Sequence, residues 1–247
     1  MPLCSSGGGG DTAASVPFAA VPIHLRPSAP LAPDVLLPGD PGRAMALAQA
    51  LIAEPEMHNL HRGLWGYSGE TRDGRPLSIQ STGMGAPSAA IVLHELAELG
   101  VKRAIRVGTA DALDKDLELG ELLRVEAAIP DDGVSRAAGA EGPVGADPVL
   151  LERLASADAG RPVTVASTDV FYESSGAPRE AWVEAGAGAV EMECAALFTL
   201  GPALGVAVAA LLIVSDVFPD GERRRISDPE LERAVEGMGE AALSALE

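Results

Sequence analysis

Two kinds of hydrophobic segment alternate along most of this chain. Short unbroken apolar runs, such as Val35–Leu37, Val163–Ala166 and Leu211–Val214, have the length and composition of strands buried on both faces. Longer stretches between them repeat at helical spacing. The plainest runs from about Ser88 to Leu99, where Ile91, Leu93, Leu96 and Leu99 form an apolar face and Gly100 ends it. Asp40-Pro41 predicts the start of a helix over Arg43 or Ala44 to about Ile52, and Asp147-Pro148 the start of one reaching about Ala157. Asp73-Gly74 reads as the turn of a hairpin between Trp65–Glu70 and Pro76–Gln80. Strands are also expected from Gly120 to Pro130 and, briefly, at Gly188–Val190 before a helix. Asp131–Pro148 reads as a polar excursion, and a helix closes the chain. Strand, helix, strand in this order predicts one α/β domain on a largely parallel sheet, without internal repeat or linker.

One stretch tests the pattern. Ala195 to Val214 runs twenty residues without a charge, the length of a membrane span. Gly201, Pro202 and Gly205 divide it, so it reads as a buried helix to about Leu204, a turn, and a buried strand over Val206–Val214. Residues 1 to 20, rich in Gly, Ser and Ala, have neither a basic start nor an apolar core and read as a flexible tail ahead of the domain at 21–247.

Composition narrows the choices further. Apolar residues make up 47% of the chain and aromatics only 3%, so Ala, Val and Leu must fill the core. A formal net charge of -18 argues against nucleic acid or an anionic membrane as partner, though a few focused arginines can still hold a small anion. The two cysteines, Cys4 and Cys194, sit in unlike contexts, which argues against a disulfide and for a reducing, cytoplasmic setting.

Chemistry gathers at the predicted strand ends. Arg106 falls inside the apolar strand of AIRVGTADAL, residues 104–113. A buried guanidinium needs an anion, so Arg106 is either half of an internal ion pair or a ligand contact. Gly108 and Thr109 follow at the carboxyl end, where open α/β sheets bind their ligands. Gly39-Asp40-Pro41-Gly42-Arg43 offers a strand, a glycine turn and a helix start, which is either an ordinary connection or an anion site. Further along lie Thr168-Asp169-Val170-Phe171-Tyr172, two glutamates around a methionine at 191–193, Ser215-Asp216, and the run Arg223, Arg224, Arg225.

Taken together, GDPGR at 39–43, STGMGAPS at 81–88, RVGT at 106–109, VEMECAAL at 190–197 and SD at 215–216 resemble the nucleoside phosphorylase-I family of hexameric purine nucleoside and uridine phosphorylases. The resemblance spans roughly residues 20–247. It implies a partly barrel-like mixed sheet flanked by helices. The implied reaction is phosphate-dependent cleavage of a nucleoside to free base and ribose 1-phosphate, with inorganic phosphate as co-substrate and no cofactor or metal. Gly39, Arg43, Arg106 and Thr109 would hold the phosphate, with Arg62 supplied by a neighbouring subunit of a homohexamer. Met192 and Glu193 would hold the ribose, and His24 would reach its 5′ hydroxyl across the interface. Phe171 and Glu191 would meet the base, and Asp216, assisted by one of Arg223, Arg224 and Arg225, would protonate it. The residues after Tyr172 are Glu173-Ser174-Ser175-Gly176, without the Gln and Arg by which the uridine enzymes read a pyrimidine, and Asp216 suits a purine.

Rival readings remain open at the level of sequence. They are a uridine or methylthioadenosine phosphorylase, a water-using nucleosidase, and a non-catalytic binding relative. The last is prompted by Asp111, which stands where the family pattern has glycine and would repel a nearby phosphate.

Overall fold

In the computed structural model, residues 22–172 and 176–247 are described. The tail expected over 1–20 and the specificity argument at 173–175 lie outside them. The elements are β1 (Asp34–Leu37), α1 (Pro41–Leu51), β2 (Glu56–Asn59), β3 (Gly66–Glu70), β4 (Pro76–Gln80), α2 (Ala86–Glu98), β5 (Arg103–Ala112) and β6 (Leu122–Asp131). Then follow α3 (Gly133–Ala137), β7 (Val144–Gly145), α4 (Pro148–Ser156), β8 (Arg161–Thr168), α5 (Ala177–Glu184), β9 (Ala189–Glu191), α6 (Cys194–Leu204), β10 (Ala207–Val217), β11 (Arg224–Arg225) and α7 (Asp228–Ser244).

Five of the strands close on themselves. β5 pairs with β10, β10 with β6, β6 with β8, β8 with β9, and β9 returns to β5. The remaining sheet, β1, β4, β3 and β2 in order, extends outward from β5. The α/β prediction holds, and the sheet is mixed and partly closed.

β5 organises this arrangement. One of its edges pairs with parallel β10 from Arg103 to Asp111. The other pairs with parallel β1 only as far as Arg106, and with antiparallel β9 from Asp111. Between Arg106 and Asp111 that second edge has no strand beside it among the described residues, so the sheet splits there. Ligand clefts in α/β folds form at such divergences, outside the carboxyl ends of the strands.

Alternation along β5 sends Ala104, Ala110 and Ala112 into a core shared with α2 and α6, and Ile105 and Val107 into one shared with α1 and α7. Both cores are built from Ala, Val and Leu, as the scarcity of aromatics requires. The uncharged stretch divides as expected: α6 runs through Pro202 to Leu204, Gly205 ends it in a left-handed conformation at φ 67°, and β10 follows. Asp131–Pro148 is more ordered than its polarity suggested, since it holds α3 and β7. Asp132 caps α3 by accepting the Ser135 amide at 2.7 Å. The sequence reading also passed over β2 and α5.

Helix α7 packs on α1 through a close approach at Gly239. A Cβ there would stand 2.5 Å from Leu47 Cδ2 and 3.2 Å from Leu51 Cδ1. Gly239→Val is therefore expected to destabilise the fold by about 1–3 kcal/mol through overpacking. The check is a lowered urea midpoint at unchanged slope.

Candidate active site

A cavity of about 1380 Å³ opens over the split in the sheet, lined by Gly39, Arg43, Arg106, Thr109, Met192 and Glu193 toward one end and by Asp111, Phe171, Arg179, Asp216, Phe218 and Arg223 toward the other. Eleven residues expected from the sequence thus line one cavity: Gly39, Arg43, Arg106, Thr109, Phe171, Glu191, Met192, Glu193, Asp216, Arg223 and Arg225. Among the described residues no group of three or more His, Cys, Asp or Glu side chains forms a metal-binding cluster.

The first end is cationic and tightly wired. Asp40 caps α1 by accepting the Arg43 amide at 2.8 Å, which leaves the Arg43 side chain free to enter the cavity from the first turn. Its Nη1 is buried with no hydrogen-bond partner. Burial, and next the charge of Arg106, pull the pKa of Arg43 down. A guanidinium short of a partner and facing a second cation is an unmet demand for an anion.

Arg106 is buried and already paired. Its Nε donates to Glu191 Oε2 at 3.1 Å, and its Nη2 lies 2.5 Å from Glu193 Oε2. The ion-pair alternative raised from the sequence is therefore realised, while Nη1 takes part in neither pair. Burial alone would weaken its charge, but Glu193 and Glu191 outweigh that and raise its pKa. Gly108 makes room for this: a Cβ at 108 would fall 2.8 Å from both Cζ and Nη2 of Arg106.

The two glutamates divide the work differently from expectation. Glu191 borders the cavity, yet both of its oxygens are occupied. It accepts the amides of Glu193 at 2.9 Å and Cys194 at 2.9 Å, the Ser167 hydroxyl, and the Arg106 Nε. It thus caps α6 and anchors Arg106, and a base contact from its carboxylate is not what the geometry offers. Glu193 accepts the Gly85 amide at 2.5 Å on Oε1, so the glycine-rich loop at 81–88 steadies it. Burial raises the Glu193 pKa, against the pull of Arg106.

At the other end Asp216 is buried at 1% exposure. Its Oδ1 accepts Arg223 Nε at 2.7 Å, and its Oδ2 accepts Arg225 Nη1 at 2.8 Å and the Ser215 hydroxyl at 2.7 Å. The choice among three arginines resolves into two, Arg223 and Arg225. In antiparallel β11, Arg225 stands opposite Asp216 and Arg224 opposite Val217, on the other face. Burial raises the Asp216 pKa, but the Arg223 and Ser215 hydrogen bonds and Arg225 outweigh it and hold it below the ordinary carboxylate value. Phe171 stacks edge-on with Tyr172 at 4.9 Å, with Arg223 5.5 Å from its ring centre.

Two lining residues had no signal in the sequence. Arg179, on the unforeseen α5, lies 4.1 Å over the Phe218 ring and donates to the Ala112 carbonyl at 3.1 Å. His24 and Arg62 do not line the cavity of their own chain. His24 Nδ1 meets Glu95 Oε1 at 2.7 Å, and the His24 carbonyl accepts from His61, the neighbour of Arg62, at 3.0 Å. Both expected interface residues therefore lie outside the cavity lining, in two segments joined by that bond.

An arginine-lined pocket joined to an acidic, aromatic pocket on one split sheet suits a polar ligand held beside an anion. The sequence profile of the phosphorylase superfamily matches residues 33–246. A DeoD-type purine nucleoside phosphorylase from Alkaliphilus metalliredigens is 34% identical over 88% of this chain and 95% of its own. A DeoD-type purine nucleoside phosphorylase from Bacillus cereus is 36% identical over 87% of this chain and 94% of its own. A uridine phosphorylase from Vibrio fischeri, solved with 6-hydroxy-1-naphthoic acid, superposes with a TM-score of 0.75 at 29% identity, over 87% of this chain and 90% of that one. The chain belongs to the phosphorylase superfamily.

The two cavity arginines are expected to behave oppositely in stability. Arg106→Met strands two buried carboxylates and is expected to cost about 3–5 kcal/mol. Arg43→Met removes an under-partnered cation and is expected to leave stability unchanged or raised in phosphate-free buffer. Chemical denaturation of both variants checks the contrast.

Proposed function

We propose that this protein is a purine nucleoside phosphorylase, which transfers the pentosyl group of a purine nucleoside to inorganic phosphate and needs no cofactor. The observation that carries the reading is the unsatisfied Arg43 guanidinium facing Arg106 across one end of the cavity. A hydrolase adding water has no use for such a clamp, whereas a phosphate dianion matches it in charge and in planar, bidentate geometry. Gly39, Arg43, Arg106 through its remaining nitrogen, and Thr109 are assigned to the phosphate. Met192 and Glu193 lie next along the cavity and are assigned to the ribose. Phe171 supplies a face for the base.

The reaction follows from this order. As the glycosidic bond lengthens, the sugar becomes oxocarbenium-like, and phosphate held beside it both stabilises and captures the cation. Negative charge builds on the departing base, where a proton donor must meet it. His24 and Arg62, neither of which lines the cavity of its own chain, are assigned to the site of a neighbouring subunit in a homohexamer. A cytoplasmic setting suits the free, buried Cys194, and no described helix is long and apolar enough to cross a membrane.

The test is base release from inosine, guanosine, adenosine, methylthioadenosine and uridine, each with and without phosphate. Strong phosphate dependence with a purine preference is expected. Equal rates without phosphate overturn the phosphorylase reading, and uridine as best substrate overturns the purine assignment. Gly108→Ala, which pushes the Arg106 guanidinium aside, is expected to raise the phosphate KM by about 10-fold or more, the value of one charge-assisted hydrogen bond. Initial rates at varied phosphate measure it.

A further inference from the structure

Asp111, expected from the sequence to burden the phosphate pocket, lies instead at the acidic, aromatic end of the cavity. Along the β5–β10 pair the register is regular through Ala110 and Val214, then shifts, so that Asp216 rather than Ser215 stands opposite Asp111. Side chains opposite one another in a pair point to the same face, and a slip of one residue reverses the face. The irregularity at Ser215 therefore sets both carboxyl groups on the cavity side, within hydrogen-bonding reach of each other.

The donors nearby serve the two unequally. Asp216 accepts from Arg223, Arg225 and Ser215. Arg223 from the β10–β11 connection and Arg179 from α5 face Asp111 as charges. Yet Arg223 gives its Nε to Asp216, and Arg179 covers the Phe218 ring and donates to the Ala112 carbonyl, so that among the described residues nothing donates to the Asp111 carboxyl. Glu191 of adjacent β9 is turned away to Arg106. Asp111 is half-buried on the cavity wall and presents an unfilled acceptor to whatever enters.

The shape of a purine decides what meets it. With the sugar beside Met192 and Glu193 and the base against Phe171, N9 faces the ribose. The substituent on C6 points away from N9 and belongs to both outer edges of the ring system, so it reaches the far end whichever edge is turned there. An amino group at C6 donates, and a carbonyl oxygen only accepts. An ionised carboxylate also only accepts, so it gains a charge-assisted hydrogen bond from the first and meets lone pairs in the second.

We propose that Asp111 is a specificity-determining residue, selecting 6-aminopurine over 6-oxopurine nucleosides by accepting a hydrogen bond from the exocyclic amine. This rests on the purine nucleoside reading of the site, and it leaves Asp216 its expected part in protonating the base. The family's glycine at this position supplies no such acceptor. The selection carries its own pH dependence. Burial, and then the Asp216 charge, push Asp111 up to about 6, against Arg223 and Arg179. Below that pH the neutral carboxyl donates to a 6-oxo group as readily as it accepts from a 6-amino one, and above it the carboxylate only accepts. Preference for the amino base therefore rises as pH increases through about 6.

The test measures dissociation constants for the C-nucleoside analogues of adenosine and inosine, formycin A and formycin B, which bind without being cleaved. For wild type with saturating phosphate, the preference for the 6-amino analogue is expected to rise about 10-fold from about pH 5 to about pH 7.5, the value of one charge-assisted hydrogen bond. In Asp111→Gly, which lacks the acceptor, and in Asp111→Asn, whose amide serves either group by turning over, it is expected to move by less than about 2-fold. Proton delivery to the base plays no part, because neither analogue is cleaved. A wild-type preference indifferent to pH, a pH dependence that survives in both variants, or a wild-type preference for the 6-oxo analogue at the higher pH each overturn the assignment. Failure of both analogues to bind overturns the purine reading and this assignment together. Base release that ignores phosphate overturns the phosphorylase reading alone, and the two-analogue comparison still judges Asp111.

Discussion

The site depends on a charge buried in the middle of a strand. Arg106 would be intolerable in the apolar interior of β5 without anions, and Glu191 and Glu193 supply them from the β9–α6 turn. The pair in turn fixes that turn, because Glu191 also caps α6, and Glu193 is held by the loop entering α2. Two connections that are distant in sequence are thereby tied to one guanidinium. The sheet can part between β1 and β9 without the gap collapsing, because charged groups bridge it. Ion pairs of this kind add little net stability compared with apolar packing, and their value lies in specifying one arrangement.

That arrangement separates the cavity into ends of opposite character. At one end two arginines face each other, and both glutamates there pair with Arg106, which leaves Arg43 short of a partner. At the other, two carboxylates stand side by side with arginines distributed unevenly between them. Both ends hold a deliberate imbalance, one short of an anion and the other short of a donor. A phosphate entering the first and a base entering the second relieve each in turn.

Much of this was legible in the sequence, and for identifiable reasons. Apolar runs and their glycine and proline punctuation located β1, α1, α2, β5 and the division of the uncharged stretch into α6 and β10, since each is settled by local pattern. The residues of the anion end were likewise local, at strand ends and helix starts. What escaped was set by tertiary pairing. The polar α5 has only Trp182 buried among its residues, so its sequence gives little periodic signal, and Arg179 was missed with it. Glu191 read as a base contact because nothing local shows that its carboxylate turns back to α6. The company kept by Asp111 depends on a register shift in a strand a hundred residues away. An acid in place of the family's glycine looked like damage to one pocket until the register placed it in the other.

The open edge of β5 has a metric consequence. Arg106 and Asp111 are five positions apart on β5, which at about 3.3 Å per residue is about 16 Å between their Cα atoms, and the Arg106 guanidinium shortens the gap by lying beside residue 108. β5 acts as a ruler. A ligand lacking either the base or the anion leaves one end of the scale unread.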